Sequence, residues 1–330
     1  MPINLPPELT ASITHILQNL EGNSAQVGQV EPWGGGAHNR CYRIAPQGGS
    51  WRYFLKVEQS PIVPRTRAHQ IAKEVSGITL ATGAGVPCPR LLRYDLTGDE
   101  VGWRYALFEF IDASLAGEVW STLSPENQAA IRAQVEGLAA RLDSIAAPFY
   151  GDTYAGGLVG QHATWQSAVI AWASLALEDA ANLSIYSPAE LALIREACAA
   201  VYPAFTSQIA PAFLHNDMHE FNAFVEQVEG QTRISHIIDF GYNLYAPRYL
   251  LNHMLHQMGC WGFSRQDTAS LYPVSQEELD AWWFLSNVEM KVFLSAIRFA
   301  PDQPYGYVAQ NAALLAECAQ RLGRSPGTAT

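Results

Sequence analysis

No stretch of this 330-residue chain approaches the roughly 20 uninterrupted apolar residues that span a bilayer. The opening M-P-I-N-L-P-P-E-L-T has no basic segment followed by an apolar run, so no export signal is read there and a soluble, cytoplasmic protein is expected. Basic residues are scarce: 20 Lys and Arg stand against 31 Asp and Glu, for a net charge of −11 and a pI near 5.2. That balance argues against a nucleic-acid partner, which needs a clustered basic surface, and is compatible with a cationic small molecule. Acidity also serves solubility alone. The five cysteines, Cys41, Cys88, Cys198, Cys260 and Cys318, are odd in number, scattered and free of C-x-x-C spacing. A disulfide framework is not expected, and a reducing compartment fits. Internal repeats and low-complexity segments are also absent.

Apolar residues are plentiful at 48%, and the length exceeds the usual size of a single hydrophobic core, so two lobes are expected. The first third reads as strands and turns. V-G-Q-V-E-P-W and C-Y-R-I-A flank Gly34, Gly35 and Gly36, predicting a hairpin with a glycine-rich tip, and a turn at Gly48 and Gly49 leads into W-R-Y-F-L-K-V. A helical pattern over 67–82 places Ala68, Ile71, Val75 and Ile78 on one face, and G-A-G-V-P-C-P stops it. Segments starting at Pro89 and Trp103 supply two further strands. The expectation is a five-stranded antiparallel sheet with one helix.

After Ile111 the texture turns helical. Ser124-Pro125 opens one helix, and Ser187 with Glu190 and Ser275 with Glu278 predict capping boxes on two others. Three strands interrupt the helices: A-F-L-H-N-D, N-A-F-V-E-Q-V and R-I-S-H-I-I-D. They bracket H-N-D-M-H-E-F-N, which holds His215, Asp217, His219 and Asn222, and end at Asp239.

Each of these polar residues has an ordinary use: a loop Asp caps backbone amides, and an Asn makes turns. Together their spacing fits phosphoryl transfer, in which an Asp faces a hydroxyl, an Asn five positions on reaches a metal, and a second Asp ending the next strand holds Mg²⁺. Lys56 lies inside the apolar strand Y-F-L-K-V, where a half-buried ammonium needs an anion, and Glu74 on the following helix is placed to supply one. Gly34, Gly35 and Gly36, with Asn39 completing the turn, would let backbone amides approach phosphates.

The segments G-G-G-A-H-N-R-C-Y-R-I, Y-F-L-K-V, G-V-P-C-P-R-L-L, H-N-D-M-H-E-F-N and I-I-D-F-G, in this order, resemble the aminoglycoside phosphotransferase and choline kinase superfamily over roughly residues 27 to 300. The resemblance implies an α+β, protein-kinase-like two-lobed fold, with a nucleotide-binding lobe at 1–111 and a helical lobe carrying the catalytic loop and acceptor site at 112–330. It implies an ATP- and Mg²⁺-dependent kinase acting on a small-molecule hydroxyl, with an aminoglycoside-like or amino-alcohol acceptor. Asp217 would be the catalytic base, Asn222 and Asp239 the metal ligands, Lys56 the phosphate clamp and Glu74 its partner. His215 would brace the loop, and backbone groups of Glu109 and Ile111 would bind adenine. Asn216, where protein kinases commonly carry Arg, points away from a protein substrate.

This chain departs from the resemblance after Asp239. Aligned on Pro247, two usual acids are replaced by Ala246 and Leu250, which leaves the acceptor open. Carboxylates at Asp152, Glu178, Asp179 and Glu289 would suit an amine, whereas Trp261, Trp282 and Trp283 would either cage a quaternary ammonium or fill a helix core. Histidine spacing at His215/His219 and His253/His256 admits a zinc site but lacks the H-E-x-x-H context. A catalytically silent nucleotide-binding pseudokinase is the alternative function. The presence of Lys56, Asp217, Asn222 and Asp239 together favours the enzyme.

Overall fold

A computed structural model describes residues 7–34, 39–58, 65–264, 272–296 and 307–324. The chain begins with helix α1 (Pro7–Glu21) and strands β1 (Val27–Pro32), β2 (Asn39–Pro46) and β3 (Tyr53–Glu58), then α2 (Gln70–Gly83), β4 (Leu91–Asp95) and β5 (Tyr105–Glu109). The strands form one antiparallel sheet in the order β1-β2-β3-β5-β4. The five-stranded sheet expected from the sequence is present. Gly35 and Gly36 of the expected glycine-rich tip lie outside the described residues.

Alternation gives this sheet two apolar faces. Tyr42, Ile44, Tyr53, Leu55, Tyr105 and Leu107 pack against Ile13, Ile16 and Leu17 of α1, a helix not expected from the sequence. On the opposite face, Ala106 and Phe108 join Ile71, Val75 and Ile78 of α2 in a core that continues into the helical region. Helix α2 starts later than expected. Residues Arg65–Arg67 form a separate 3₁₀ turn, and His69 takes a left-handed conformation with φ 60° before the helix begins.

The remaining elements are β6 (Ser114–Leu115), α3 (Ala116–Val119), α4 (Pro125–Asp143), β7 (Tyr150–Gly151), β8 (Gln161–His162), α5 (Trp165–Asn182), α6 (Pro188–Val201), β9 (Pro211–Leu214), β10 (Ala223–Val228), β11 (Gln231–Ile237), β12 (Leu244–Pro247), α7 (Tyr249–Met258), α8 (Gln276–Ala296) and α9 (Tyr307–Arg321). Ser124 caps α4 as expected, accepting from the Asn127 N–H, and Ser187 and Glu190 form the full capping box of α6. The box expected at α8 is only half made. Ser275 accepts the Glu278 N–H, but the Glu278 carboxylate is buried and accepts from the Thr206 and Ser207 N–H groups and the Ser207 and Tyr249 hydroxyls. A buried carboxylate is stabilised better by four donors than by one cap.

Strands β10 and β11 form a hairpin extended by β6. This hairpin sets the ends of the catalytic-type loop: Asn222 directly precedes β10, and Asp239 lies two residues beyond β11. Ala246 pairs with Ala212 across β12 and β9, and Leu250 is fully buried. Both positions of the expected acids therefore belong to the apolar core. Among the described residues no helix is long and apolar enough to cross a membrane.

Candidate active site

Strand β3 places Lys56 opposite Cys41 on β2 and Ala106 on β5, with its side chain directed to the α2 side of the sheet. Its ammonium lies 3.0 Å from Glu74 Oε2 and 2.9 Å from Asp239 Oδ1. Burial opposes the charge on Lys56, but the Asp239 and Glu74 carboxylates outweigh it and hold the ammonium above its ordinary range. Burial likewise pushes Glu74 up, against the pull of Lys56. Glu74 is almost fully buried, whereas the Asp239 side chain is 46% exposed. The cation thus joins an interior anchor to a carboxylate on the cleft wall.

Asp239 itself adopts φ 64°, a left-handed conformation that costs a non-glycine residue about 1–2 kcal/mol. Phe240–Tyr242 then form a single 3₁₀ turn under α2. The packing here is tight. A Cβ on Gly77 would lie 2.9 Å from the Phe240 Cβ and would collide with Asn243 Nδ2.

His215 is wholly buried, and burial lowers its pKa. Its Nε2 donates to the Ile238 carbonyl at 3.0 Å and its Nδ1 accepts the Asp217 N–H at 3.3 Å, so the neutral ring ties the loop to the end of β11. Between them Asn216 takes φ 56°, which Asn tolerates better than most residues. Asn222 Nδ2 donates to the Asp217 carbonyl at 2.9 Å and to Asp217 Oδ2 at 3.1 Å. His219 Nδ1 accepts the Phe221 N–H at 3.1 Å, which places its proton on Nε2, 3.5 Å from Asp217 Oδ1. Both oxygens of Asp217 are therefore oriented by neighbours.

A cleft of about 540 Å³ lies between the sheet and this loop. Gly34, Asn39, Cys41 and Lys56 line it from the sheet, and Glu74 and Ile78 from α2. Glu109, Phe110 and Ile111 close one end, and Asn222, Phe224, Ile238 and Asp239 form the floor. The Glu109 N–H is taken by the Arg90 carbonyl at 3.0 Å, leaving that residue its carbonyl for a ligand. Among the described residues, the N–H of Ile111 makes no hydrogen bond. Phe54, Phe108 and Phe224 give the cleft apolar walls suited to a planar base. Cys41, beside Lys56, has its thiol pushed by burial to about 11 and stays protonated at neutral pH. Asp217 does not line this cleft. It borders a separate, narrow recess of about 10 Å³ against α7, and Asn222 lines the cleft while its Nδ2 donates to Asp217.

Magnesium can be tested against these residues. The amide of Asn222 uses its nitrogen as donor, which directs its oxygen toward ligand duty, and Asp239 adds a carboxylate. Hard oxygen donors of this kind fit Mg²⁺. Among the described residues no group of three or more His, Cys, Asp or Glu is gathered as a self-sufficient metal site, so a metal here would complete its shell with phosphate and water oxygens. The histidines do not converge on a zinc position. His215 bonds Ile238, His219 faces Asp217, and His256 Nδ1 meets the Ser264 carbonyl at 2.8 Å.

The structure corrects the carboxylates read as acceptor ligands. Asp152 pairs with Lys73 at 2.7 Å, Asp179 with Arg65 at 2.6 Å, Glu178 with Arg65 at 2.9 Å, and Glu289 with Arg67 at 2.9 Å. All four hold the start of α2 to the helical region. Trp282 stacks on Trp172 at 5.3 Å inside the core, and Trp261 is fully buried with its indole N–H on the Met218 carbonyl. Neither builds an aromatic cage. These pairings were hidden because the partners are far apart in sequence; only Lys56, isolated in an apolar strand, advertised its need for an anion.

With this geometry established, comparison places the chain among known proteins. The sequence model of the phosphotransferase enzyme family matches residues 29–250. Among solved structures, a protein assigned as a fructosamine-3-kinase from Haemophilus somnus 129PT superposes with TM-score 0.63 at 15% identity, covering 93% of this chain and 97% of the other. A protein of the same assignment from Thermobifida fusca YX-ER1 gives 0.59 at 17%, covering 94% and 99%. A thermostable aminoglycoside phosphotransferase, solved as a ternary complex with AMP-PNP and hygromycin B, gives 0.55 at 15%, covering 97% and 100%. No curated protein matches the chain. The expected kinase-like α+β fold is the observed one, with α1 added to its N-terminal sheet.

Proposed function

We propose, from the premise that this chain belongs to the phosphotransferase enzyme family, that it transfers the γ-phosphate of ATP, with Mg²⁺, to a hydroxyl of a small molecule. The observation that carries this reading is the geometry of the cleft. Lys56, Glu74 and Asp239 meet within 3.0 Å in a cleft that Asn222 also lines, and the Asn222 Nδ2 donates to Asp217. Residues 1–111 would hold the nucleotide and residues 112–330 would supply the catalytic loop and acceptor side.

The Glu109 carbonyl and the Ile111 N–H, which line the cleft, would bind the adenine edge, and Gly34 and Asn39 would approach the phosphates. Lys56, fixed by Glu74, stabilises negative charge on the phosphates. Asn222 and Asp239 would hold the magnesium ion, which neutralises charge developing on the triphosphate. Asp217, oriented by Asn222 and His219, accepts the proton of the acceptor hydroxyl as its oxygen attacks in line. Positioning and charge stabilisation supply most of the rate.

An aminoglycoside-like or amino-alcohol acceptor draws support from neighbours solved with kanamycin, streptomycin or hygromycin B. The carboxylates of this chain that would suit such amines are occupied by Lys73, Arg65 and Arg67. The first test is a thermal-shift titration with ATP and Mg²⁺, followed by phosphate transfer to a panel of alcohols, aminoglycosides and amino alcohols. Nucleotide-dependent stabilisation and transfer are expected. Absence of any stabilisation would contradict the proposal.

A further inference from the structure

Beyond the end of α7 the backbone turns left-handed three times, at Gly259 with φ 66°, Trp261 with φ 59° and Gly262 with φ 65°. Glycine takes such angles freely, whereas a bulky residue does so against crowding between its Cβ and the carbonyl oxygen. Its surroundings must hold it there. For Trp261 the holding groups belong to the loop that carries Asp217: its backbone N–H donates to Glu220 Oε2 at 3.2 Å, and its indole N–H donates to the Met218 carbonyl at 3.2 Å. The ring is fully buried and meets Trp120 edge-on at 5.9 Å, which fixes the direction of the indole N–H. Ala246 and Leu250, buried in the core, have no polar side-chain atom to offer the loop.

We infer that Trp261 is a positioning residue for Asp217, acting through the two loop residues on either side of His219. This inference rests on the kinase reading of Asp217. Met218 and Glu220 flank His219, so the two bonds from Trp261 fix the stretch of backbone that carries the imidazole. His219 Nδ1 accepts the Phe221 N–H at 3.1 Å, and its Nε2 stands 3.5 Å from Asp217 Oδ1. When the backbone at 218–220 drifts, the imidazole turns with it and that oxygen loses its orientation. The other oxygen keeps Asn222 Nδ2. Asp217 then spends less time aligned with an acceptor hydroxyl, which slows transfer, while Lys56 and Asp239 in the nucleotide cleft are untouched. The strained backbone fits this role, because relaxing Trp261 would swing both of its donors off the loop.

The test uses Trp261→Phe, which keeps a buried ring and removes the indole N–H, and Glu220→Ala, which removes the acceptor of the backbone N–H, with Glu220→Gln to restore an oxygen there. Transfer from ATP is followed to whichever acceptor of the panel above the unmodified protein phosphorylates fastest. Trp261→Phe and Glu220→Ala should each lower kcat about tenfold, with KM for ATP and the ATP-induced thermal shift unchanged, and Glu220→Gln should recover most of the loss. Trp120→Phe, which thins the packing around the same indole and removes neither bond, should leave kcat unchanged. Amide hydrogen exchange read by mass spectrometry needs no acceptor: in Trp261→Phe it should quicken across 217–222 and stay as it was in β3 and α2. If no acceptor of the panel is phosphorylated, exchange over 217–222 decides. Unchanged kcat in either Trp261→Phe or Glu220→Ala, a raised KM for ATP in place of a lowered kcat, an equal loss in Trp120→Phe, no rescue by Glu220→Gln, or unchanged exchange over 217–222 would overturn the inference. Absence of both transfer and an ATP-induced shift in the unmodified protein would instead overturn the kinase reading beneath it.

Discussion

Asp217 and Asp239 are chemically identical side chains in different surroundings. Asp239 faces a cation at 2.9 Å, whereas Asp217 is held by Asn222 and His219, with no Lys or Arg on its carboxylate among the described residues. Asp217→Asn preserves the shape and removes the base. It should reduce transfer about 10²–10⁴-fold, the usual range for a positioned acid–base group, with little change in the ATP-induced thermal shift. Full turnover in steady-state assays would contradict the role. A separate prediction concerns Asp143 at the end of α4. Burial pushes its carboxyl up to about 7, against the pull of Arg248. In the unfolded chain the same group ionises near about pH 4. The folded state therefore binds this proton more tightly, and the stability it contributes is full below pH 4 and lost as pH rises toward 7. Asp143→Asn should flatten that part of the pH profile of the urea midpoint between about pH 4 and 7; an unchanged profile would contradict it.

Helix α2 is the element on which the cleft depends. Glu74 reaches Lys56 only because Arg65, Arg67 and Lys73 tie the start of the helix to Asp179, Glu289 and Asp152. Arg67 also lies over the rings of Tyr242 and Phe293, and Tyr242 donates to Glu289 at 3.1 Å, so the turn after Asp239 shares this anchor. Glu289→Ala would leave the Arg67 guanidinium buried and unpaired, at a cost of about 3–5 kcal/mol in urea unfolding, and the double variant Arg67→Met/Glu289→Leu should recover most of it. Gly77→Ala should destabilise by about 1–3 kcal/mol and lower activity as α2 shifts away from Phe240 and Asn243, which crystallography of the variant would show. The sequence exposed the helix, its apolar face and Glu74. It did not expose the anchors, because Arg67 and Glu289 are 222 positions apart and each looks like an ordinary surface charge on its own helix or turn.

At the scale of the whole molecule, most of the residues that line the cleft were legible, and the surroundings of Asp217 were not. Strands β1 to β5 announce themselves by alternation, and the polar residues of the loop fall at fixed intervals on either side of a hairpin. Helix α1 was missed although Leu9, Ile13, Ile16, Leu17 and Leu20 follow the helical period; its apolar stripe precedes the first strand and had no visible partner until the outer sheet face was known. Strands β6, β7 and β8 are too short for any periodicity to show. The replacement of acids by Ala246 and Leu250 was visible, but its meaning required the core that buries them. With those acids gone and four other carboxylates committed to α2, the negative net charge lends little to the recess beside Asp217.

The central claim is that Lys56, Asp217, Asn222 and Asp239 form one phosphotransfer site at the cleft between the sheet and the loop. The most direct measurement follows γ-phosphate transfer from ATP to an alcohol by ³¹P NMR, using the unmodified protein, Asp217→Asn and Lys56→Met in parallel with their ATP-induced thermal shifts. The account predicts a new phosphate-ester resonance from the unmodified protein only, with ATP stabilisation kept by Asp217→Asn and weakened by Lys56→Met. A phosphate ester formed undiminished by Asp217→Asn, or an ATP response identical in Lys56→Met, would contradict it.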